Sequence, residues 1–499
     1  MSFNSKITYI FNPQLRFRKD GRRLFIYSLD EFFFEPNNLT PVLPAEIIML
    51  LLFTGKKSFN EVAKDFAFVI GYNEHIAETE AVKILTKSIS NLEKRSQIEN
   101  LLLASTSLSS NIINETLSRY SDLQYFIIPS DEFNFEPNNL RLSAPLSVNW
   151  NVMTSCGFRC KYCYHPLVPV NELIPLERLK MIFAELKSLN CESILLTGGD
   201  PMLRPDIDDV LVEIAKSGLK YSLSTKSILT DDRIKLFHEK ANLHGLQISL
   251  DSVCQNTVSE LLGINDNDYV KKVLHMIETL QKNDIEVRIK SVFTSYNADD
   301  LQNFLQTIIG LGVKRIQITP YGRSGTRHND KLFTTAAQLE KANQIIAEFQ
   351  SRYKDVELNG GGFEIGYDEP VVIDTITAEN IFSKRSICNA GRFSMTMLPN
   401  GEVFVCEQLP YNSKYVLGDL RTQSVQECWN GEMMQKWLSP PDRNTFEEHS
   451  PCRTCPDEFY DKCHKIYSRC LRFIYEHTGD TDTADIKCPR FTFEKYRIT

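Results

Sequence analysis

No stretch of this 499-residue chain is apolar for long enough to cross a bilayer as a helix. The longest apolar run, "IIMLLLF" at 47–53, falls far short of the roughly 20 residues a spanning helix needs. The opening "MSFNSKITYIFNPQLRFRKDG" puts charges where a secretory signal has its apolar centre. These absences predict a cytoplasmic protein with no membrane partner. A basic surplus is missing as well: the net charge of -8 offers no surface on which a polyanion would be held, so nucleic acid is not an expected partner. In a reducing compartment the 13 cysteines have little reason to pair as disulfides. They are expected to be metal ligands or catalytic thiols.

The composition that remains, 42% hydrophobic and 24% charged, is that of a globular protein, and the length allows two to four domains. Cys156, Cys160 and Cys163 form one cluster, and Cys388, Cys406, Cys428, Cys452, Cys455, Cys463, Cys470 and Cys488 lie in the last quarter. Cys191 and Cys254 stand alone and are expected to be small buried hydrophobes.

Residues 1–95 read as a small α/β module. "LRFRKDGRRLFIY" alternates about Asp20-Gly21 as a hairpin does, and "PAEIIMLLLF", "SFNEVAKDFAFVI" and "ETEAVKILTKSISNLEK" read as three helices. Ser58 and Glu61 have capping-box spacing at the start of the second. Strands followed by short helices suggest a winged-helix-like arrangement. Residues 96–145 are expected to bridge to the next domain. Their "DEFNFEPNNL" (131–140) differs from "DEFFFEPNNL" (30–39) at one position, which predicts two similar extended-then-turn segments.

From 146 to about 355, strands "LSVNWNVM", "SILLT", "YSLST", "LQISLD", "VRIKSVFT" and "RIQIT" alternate with helical segments. Six strand–helix units predict a parallel α/β sheet, most simply an incomplete (β/α)6 TIM-like barrel with its chemistry at the C-terminal strand ends. "NGGG" at 359–362 reads as a linker to a cysteine-rich domain over 380–499.

"CGFRCKYCY" places three thiols directly after the first of these strands. Three thiolates on one loop can hold three irons of a [4Fe–4S] cubane and leave the fourth iron open. Zinc would ordinarily want a fourth nearby ligand, which this loop lacks. This CxxxCxxC at a strand end resembles the radical S-adenosylmethionine superfamily, and further motifs extend the resemblance. It implies that the methionine part of S-adenosylmethionine chelates the open iron and that reductive cleavage gives a 5′-deoxyadenosyl radical. Tyr162 matches the aromatic that packs near adenine. Gly198, Gly199, Asp200 and Pro201 match Gly-Gly-Glu-Pro, the methionine amino subsite, with Asp in place of Glu. Ser249 of "SLDS" matches a ribose contact.

The tail, Cys388-x12-Gly401-x4-Cys406 and then Cys452-x2-Cys455-x7-Cys463-x6-Cys470-x17-Cys488, resembles the SPASM extension, which binds two auxiliary clusters. Gaps of x7 and x6 stand where that family has x5 and x3. The resemblance implies a near [4Fe–4S] cluster on Cys388, Cys406 and Cys470, with Cys428 or a substrate thiol as a fourth ligand. Cys452, Cys455, Cys463 and Cys488 would hold an outer [4Fe–4S] cluster, for which a structural zinc is the alternative. Glu407 matches a carboxylate that acts as a base in sulfatase-maturing relatives; a surface Glu is the alternative.

The N-terminal module resembles the leader-binding element of enzymes that modify ribosomally made peptides; the same fold can bind DNA, the minor reading here. Together these resemblances imply a peptide maturase that cross-links its precursor through a thioether or a carbon–carbon bond. A flavodoxin or ferredoxin would be its electron donor. A sulfatase-type maturase oxidising Cys or Ser, a peptide epimerase, and a non-enzymatic metal scaffold are the other readings.

Overall fold

A computed structural model describes residues 3–4, 7–165, 172–322, 327–363, 387–485, 488 and 490. It falls into two units, residues 1–143 and 144–499. Among the described residues no helix is long and apolar enough to cross a membrane.

The first unit runs β1 (Thr8–Phe11), β2 (Leu15–Asp20), β3 (Arg23–Leu29), β4 (Pro36–Val42), α1 (Pro44–Leu51), β5 (Thr54–Ser58), α2 (Phe59–Val69), α3 (Glu78–Ser96), β6 (Leu102–Ala104) and α4 (Ser110–Ser118). β2 and β3 form the hairpin about Gly21, whose φ of +61° suits the tight turn. Ser58 caps α2: its Oγ accepts from the Glu61 amide while the Glu61 carboxylate accepts from the Ser58 amide at 2.8 Å. The three expected helices are present, but the strands form two three-stranded sheets, β5-β1-β6 and β2-β3-β4.

Residues 96–143 are not a bridge between domains. β6 pairs with β1, and the Ser143 amide donates to Asp20 at 3.0 Å. The two near-identical decapeptides also part company. In the first, the Asp30 carboxylate holds the Phe32 and Phe33 amides at 2.9 and 2.8 Å, Phe33 and Phe34 are buried, and Pro36 onward becomes β4 against β3. The second forms no strand; its Asn134 amide donates to the Arg22 carbonyl at the hairpin turn, and Glu136 accepts from the side chains of Asn134 and Asn139. A strand needs a partner edge, and the first copy has β3 beside it.

The second unit begins with β7 (Ser147–Met153), α5 (Leu176–Ser188), β8 (Ser193–Gly198), α6 (Ile207–Lys216), β9 (Lys220–Thr225), α7 (Asp231–Ala241) and β10 (Gly245–Ser249). It continues through α8 (Gln255–Leu262), α9 (Tyr269–Lys282), β11 (Glu286–Phe293), α10 (Leu301–Gly310), β12 (Arg315–Pro320), α11 (Ala336–Arg352) and β13 (Glu357–Asn359). The six expected strands lie side by side in chain order and in parallel, and β13 adds a seventh, so "NGGG" begins in a strand. Helices such as α5 bury Leu179, Ile182, Phe183 and Leu186, the 3–4 spacing that covers a sheet face.

The cysteine-rich end is built onto this sheet. β14 (Ser394–Met397) pairs in parallel with β7, and β15 (Glu402–Phe404) and β16 (Val416–Asp419) extend it antiparallel. Then follow α12 (Val425–Asn430), α13 (Glu432–Leu438), α14 (Asp457–Asp461) and α15 (Leu471–Thr478). The first residues of the cysteine-rich domain expected from 380 lie partly outside the described residues. Of the two isolated cysteines, Cys191 is buried as expected, whereas Cys254, just before α8, is exposed.

Candidate active site and auxiliary cysteine groups

β7 ends at Met153, and the cysteine loop follows at once. Its backbone is tied to the end of α8: the Arg159 amide donates to the Leu262 carbonyl at 2.7 Å and the Lys161 amide to the Leu261 carbonyl at 2.9 Å. Burial pushes the Cys160 thiol up to about 11 and raises Cys156; Cys160 feels the charges of Cys156 and Cys163, Cys156 that of Cys163, and the Lys226 ammonium offsets part of each rise. Among the described residues no three Cys, His, Asp or Glu side chains converge on one ion position. A cubane, whose irons meet separate thiolates, does not require such convergence. Three thiols within electrostatic reach of one another on a fixed loop, with the Lys226 cation beside them, therefore fit an iron–sulfur cluster.

Gly198 and Gly199 bring the end of β8 against the residues that lead into that loop. A Cβ on Gly198 would stand 2.3 Å from the Met153 carbonyl, and one on Gly199 2.3 Å from the Ser155 carbonyl. The Gly199 amide donates to Met153 and the Asp200 amide to Ser155. Asp200 is 2% exposed, and its carboxylate accepts from the Thr225 hydroxyl at 2.8 Å, from the Met202, Lys226 and Ser227 amides at 3.0, 3.2 and 3.2 Å, and from the Ser227 hydroxyl at 3.1 Å. It joins the ends of β8 and β9, and the buried Pro201 opens the turn it caps. Asp200→Ala is expected to lower stability by about 1.5–3 kcal/mol, read from denaturant unfolding, because it strands these buried donors.

The Tyr162 hydroxyl donates to the Asp251 carboxylate, which also accepts from the Val292 amide at 2.8 Å. Lys226 Nζ lies 5.6 Å from the Tyr162 ring centroid. Ser249, half-buried at the end of β10, is in register with Lys290 of β11. Lys226 and Asp251 were missed from the sequence, although they lie one and two residues beyond the ends of β9 and β10, the position where chemistry was expected.

Gly401, at φ +91°, turns β14 into β15, so the x4 gap of the motif is the strand that carries Cys406 away from the turn. Cys388, Cys406 and Cys470 lie within electrostatic reach of one another. Cys452, Cys455, Cys463 and Cys488 form a second such group around Phe446, Tyr460 and Ala484. Each group has an arginine, the buried Arg392 beside Cys388 and the half-buried Arg469 beside Cys452 and Cys463. Cys428 joins neither: it packs against Gly418 of β16, where a Cβ would stand 2.6 Å from its sulfur, and its charged neighbours are Asp419, Glu427 and Glu185. The resemblance offered it, or a substrate thiol, as a fourth ligand of the near cluster; α12 carries it to β16.

Glu407 is no surface residue. Its carboxylate is within hydrogen-bond distance of the Thr197 hydroxyl at 3.3 Å, and that hydroxyl is 3.1 Å from Asn151 Oδ1 on β7. Burial raises the carboxyl above its ordinary range, while Thr197, Gln408, Lys290 and Arg472 work against the rise. Tyr164, next after Cys163, is 42% exposed and lies within electrostatic reach of Glu407. The Glu407 carboxylate thus lies within electrostatic reach of Tyr164 on the loop and of Cys406.

A family model described as the radical SAM superfamily matches residues 150–308, and one described as an iron–sulfur cluster-binding domain, SPASM, matches 388–456. A PqqA peptide cyclase of Granulibacter bethesdensis is 22% identical over 354 residues, covering 70% of this chain and 88% of that protein. Among solved structures, Streptococcus suis SuiB bound to S-adenosylmethionine superposes with a TM-score of 0.56 at 14% identity, over 96% of this chain and 100% of that one. The same protein bound to its precursor peptide SuiA superposes with a TM-score of 0.56 at 13% identity, over the same shares of the two chains.

Proposed function

From the premise that this chain is a radical S-adenosylmethionine enzyme with a SPASM iron–sulfur domain, we propose that it matures a ribosomally made peptide by forming an intramolecular cross-link. One observation carries the reading: the 156–163 loop, the trio Cys388, Cys406 and Cys470, and the half-buried Glu407 share one strand-end region of the sheet. The similarity to peptide cyclases over most of the chain supports it.

Cys156, Cys160 and Cys163 would hold the cluster that engages the cofactor, and Gly198–Pro201, Tyr162 and Ser249 would line the cofactor's site. When bound, cluster and S-adenosylmethionine supply the 5′-deoxyadenosyl radical that takes one hydrogen atom from the peptide. Closing the new bond then releases a second hydrogen as a proton and an electron. Glu407 would take the proton, since a half-buried carboxylate whose acidity is weakened by its surroundings is placed for general-base work. Cys388, Cys406 and Cys470 would hold the acceptor of the electron, and Cys452, Cys455, Cys463 and Cys488 its outer neighbour. The first unit, with its exposed sheet edges, would bind the precursor's leader in winged-helix fashion, and a flavodoxin or ferredoxin in the cytoplasm would supply the initial electron.

The test is to incubate the reduced enzyme and S-adenosylmethionine with peptides encoded in short reading frames beside the gene. A product lighter by two hydrogens, with fragment ions missing across one segment, is the expected result. An unchanged mass with an inverted residue would replace the cross-link by epimerisation.

A further inference from the structure

We propose that Arg392 is a positioning residue for the near cluster site, a fixed buried positive charge that favours arrival of an electron there. The inference rests on the reading that Cys388, Cys406 and Cys470 hold an iron–sulfur cluster. Arg392 is 5% exposed. One terminal nitrogen donates to the Lys465 carbonyl at 2.7 Å and to the Ser468 hydroxyl at 2.9 Å. Its Nε is buried and has no acceptor among the described residues. The charged neighbour it does feel is Cys388.

A buried guanidinium with no carboxylate paired to it among the described residues is expensive, because its hydration is lost without a compensating charge. Three cysteine thiolates holding a cluster would supply that negative charge at Cys388. The contrast with Arg469 sharpens the point: Arg469 sits among Asp482 and Asp485 as well as the outer cysteines, so its charge is already answered by carboxylates.

The backbone is arranged to keep Arg392 where it is. The Cys388 amide donates to the Tyr467 carbonyl at 3.0 Å, which binds the segment before Arg392 to the one before Cys470. Ser468, which holds the guanidinium, has φ +61° and ψ 149°, a conformation that non-glycine residues rarely adopt. Gly391, at φ +70°, makes the turn between Cys388 and Arg392, and a Cβ there would stand 2.7 Å from Met434 Sδ.

An electron added to the near site increases its negative charge by one unit, and a cation held close in a water-poor interior stabilises the reduced form more than the oxidised one. Removing that cation should make the site harder to reduce. The electron concerned is the one released, together with the proton taken by Glu407, as the peptide's new bond closes.

The experiment is a redox titration followed by electron paramagnetic resonance. It uses the full chain with Cys156, Cys160 and Cys163 replaced by alanine, so that the auxiliary sites alone carry iron. The near-site signal is the one lost in Cys406→Ala. Arg392→Gln is expected to shift its reduction at least tenfold toward the oxidised form, a change of about 59 mV for one electron, while Arg392→Lys keeps most of the parent value. An unchanged potential in Arg392→Gln with the iron retained would overturn the proposal, as would a shift in Arg392→Lys equal to that in Arg392→Gln. If Arg392→Gln does not hold its iron, the lysine variant decides: a retained potential supports the charge, and a lost one overturns it. Absence of any near-site signal in the parent would instead remove the cluster reading on which the proposal rests.

Discussion

Glu407→Gln is expected to form 5′-deoxyadenosine from S-adenosylmethionine while cross-linked peptide falls by about 10²–10⁴-fold, the usual worth of a general base. Glutamine keeps the size and hydrogen-bonding reach of glutamate but cannot take a proton. The carboxylate lies behind the hydrogen-atom abstraction step, joined to Thr197 at the end of β8 and one residue from Cys406. Its loss should therefore separate cofactor cleavage from product release of the proton. Liquid chromatography of 5′-deoxyadenosine alongside mass spectrometry of the peptide reads both at once. Equal loss of both would move Glu407 to a structural role, and unchanged turnover would make it a bystander.

The second large effect is expected at Cys160. Cys160→Ala removes one of the three thiols on the 156–163 loop, and the remaining two leave a cluster with two unprotected irons. Formation of 5′-deoxyadenosine should fall to background, and the iron content should drop by about four per chain. The melting transition of the sheet should change little, because the loop is held by the backbone bonds of Arg159 and Lys161 to α8 rather than by the sulfur. Cys428→Ala is the contrasting variant. Its sulfur packs between α12 and Gly418 away from both auxiliary groups, so iron should be retained while the packing loss appears as a lower unfolding midpoint.

The parallel sheet could be read in the sequence because short strands such as β11, which buries every second residue, alternate regularly with helix-period segments. The thiols could be read because CxxxCxxC and Gly-x4-Cys are local patterns, set by a loop and by one short strand after a turn. What escaped was set by distant partners. β4 contains Pro-Asn-Asn and reads as a turn, yet β3 makes it a strand; its near-copy at 131–140 has no such edge and stays irregular. β6 is three residues long and exists because β1 is beside it. Lys226, Asp251 and Arg392 look ordinary in sequence and gain their meaning only from the thiols, ring and carbonyls that the fold brings to them. Cys428 failed in the opposite sense: it belongs to the cysteine-rich stretch in sequence and to the β16 packing in space.

The central claim is that ten cysteines divide into three separate cluster sites, one on the loop after β7 and two in the C-terminal part. Iron, acid-labile sulfide and zinc counted per chain in the anaerobically reconstituted full-length protein test it most directly. The account predicts about twelve irons with matching sulfide and no zinc. About four irons with one zinc would contradict it, reducing the C-terminal cysteines to a structural metal site.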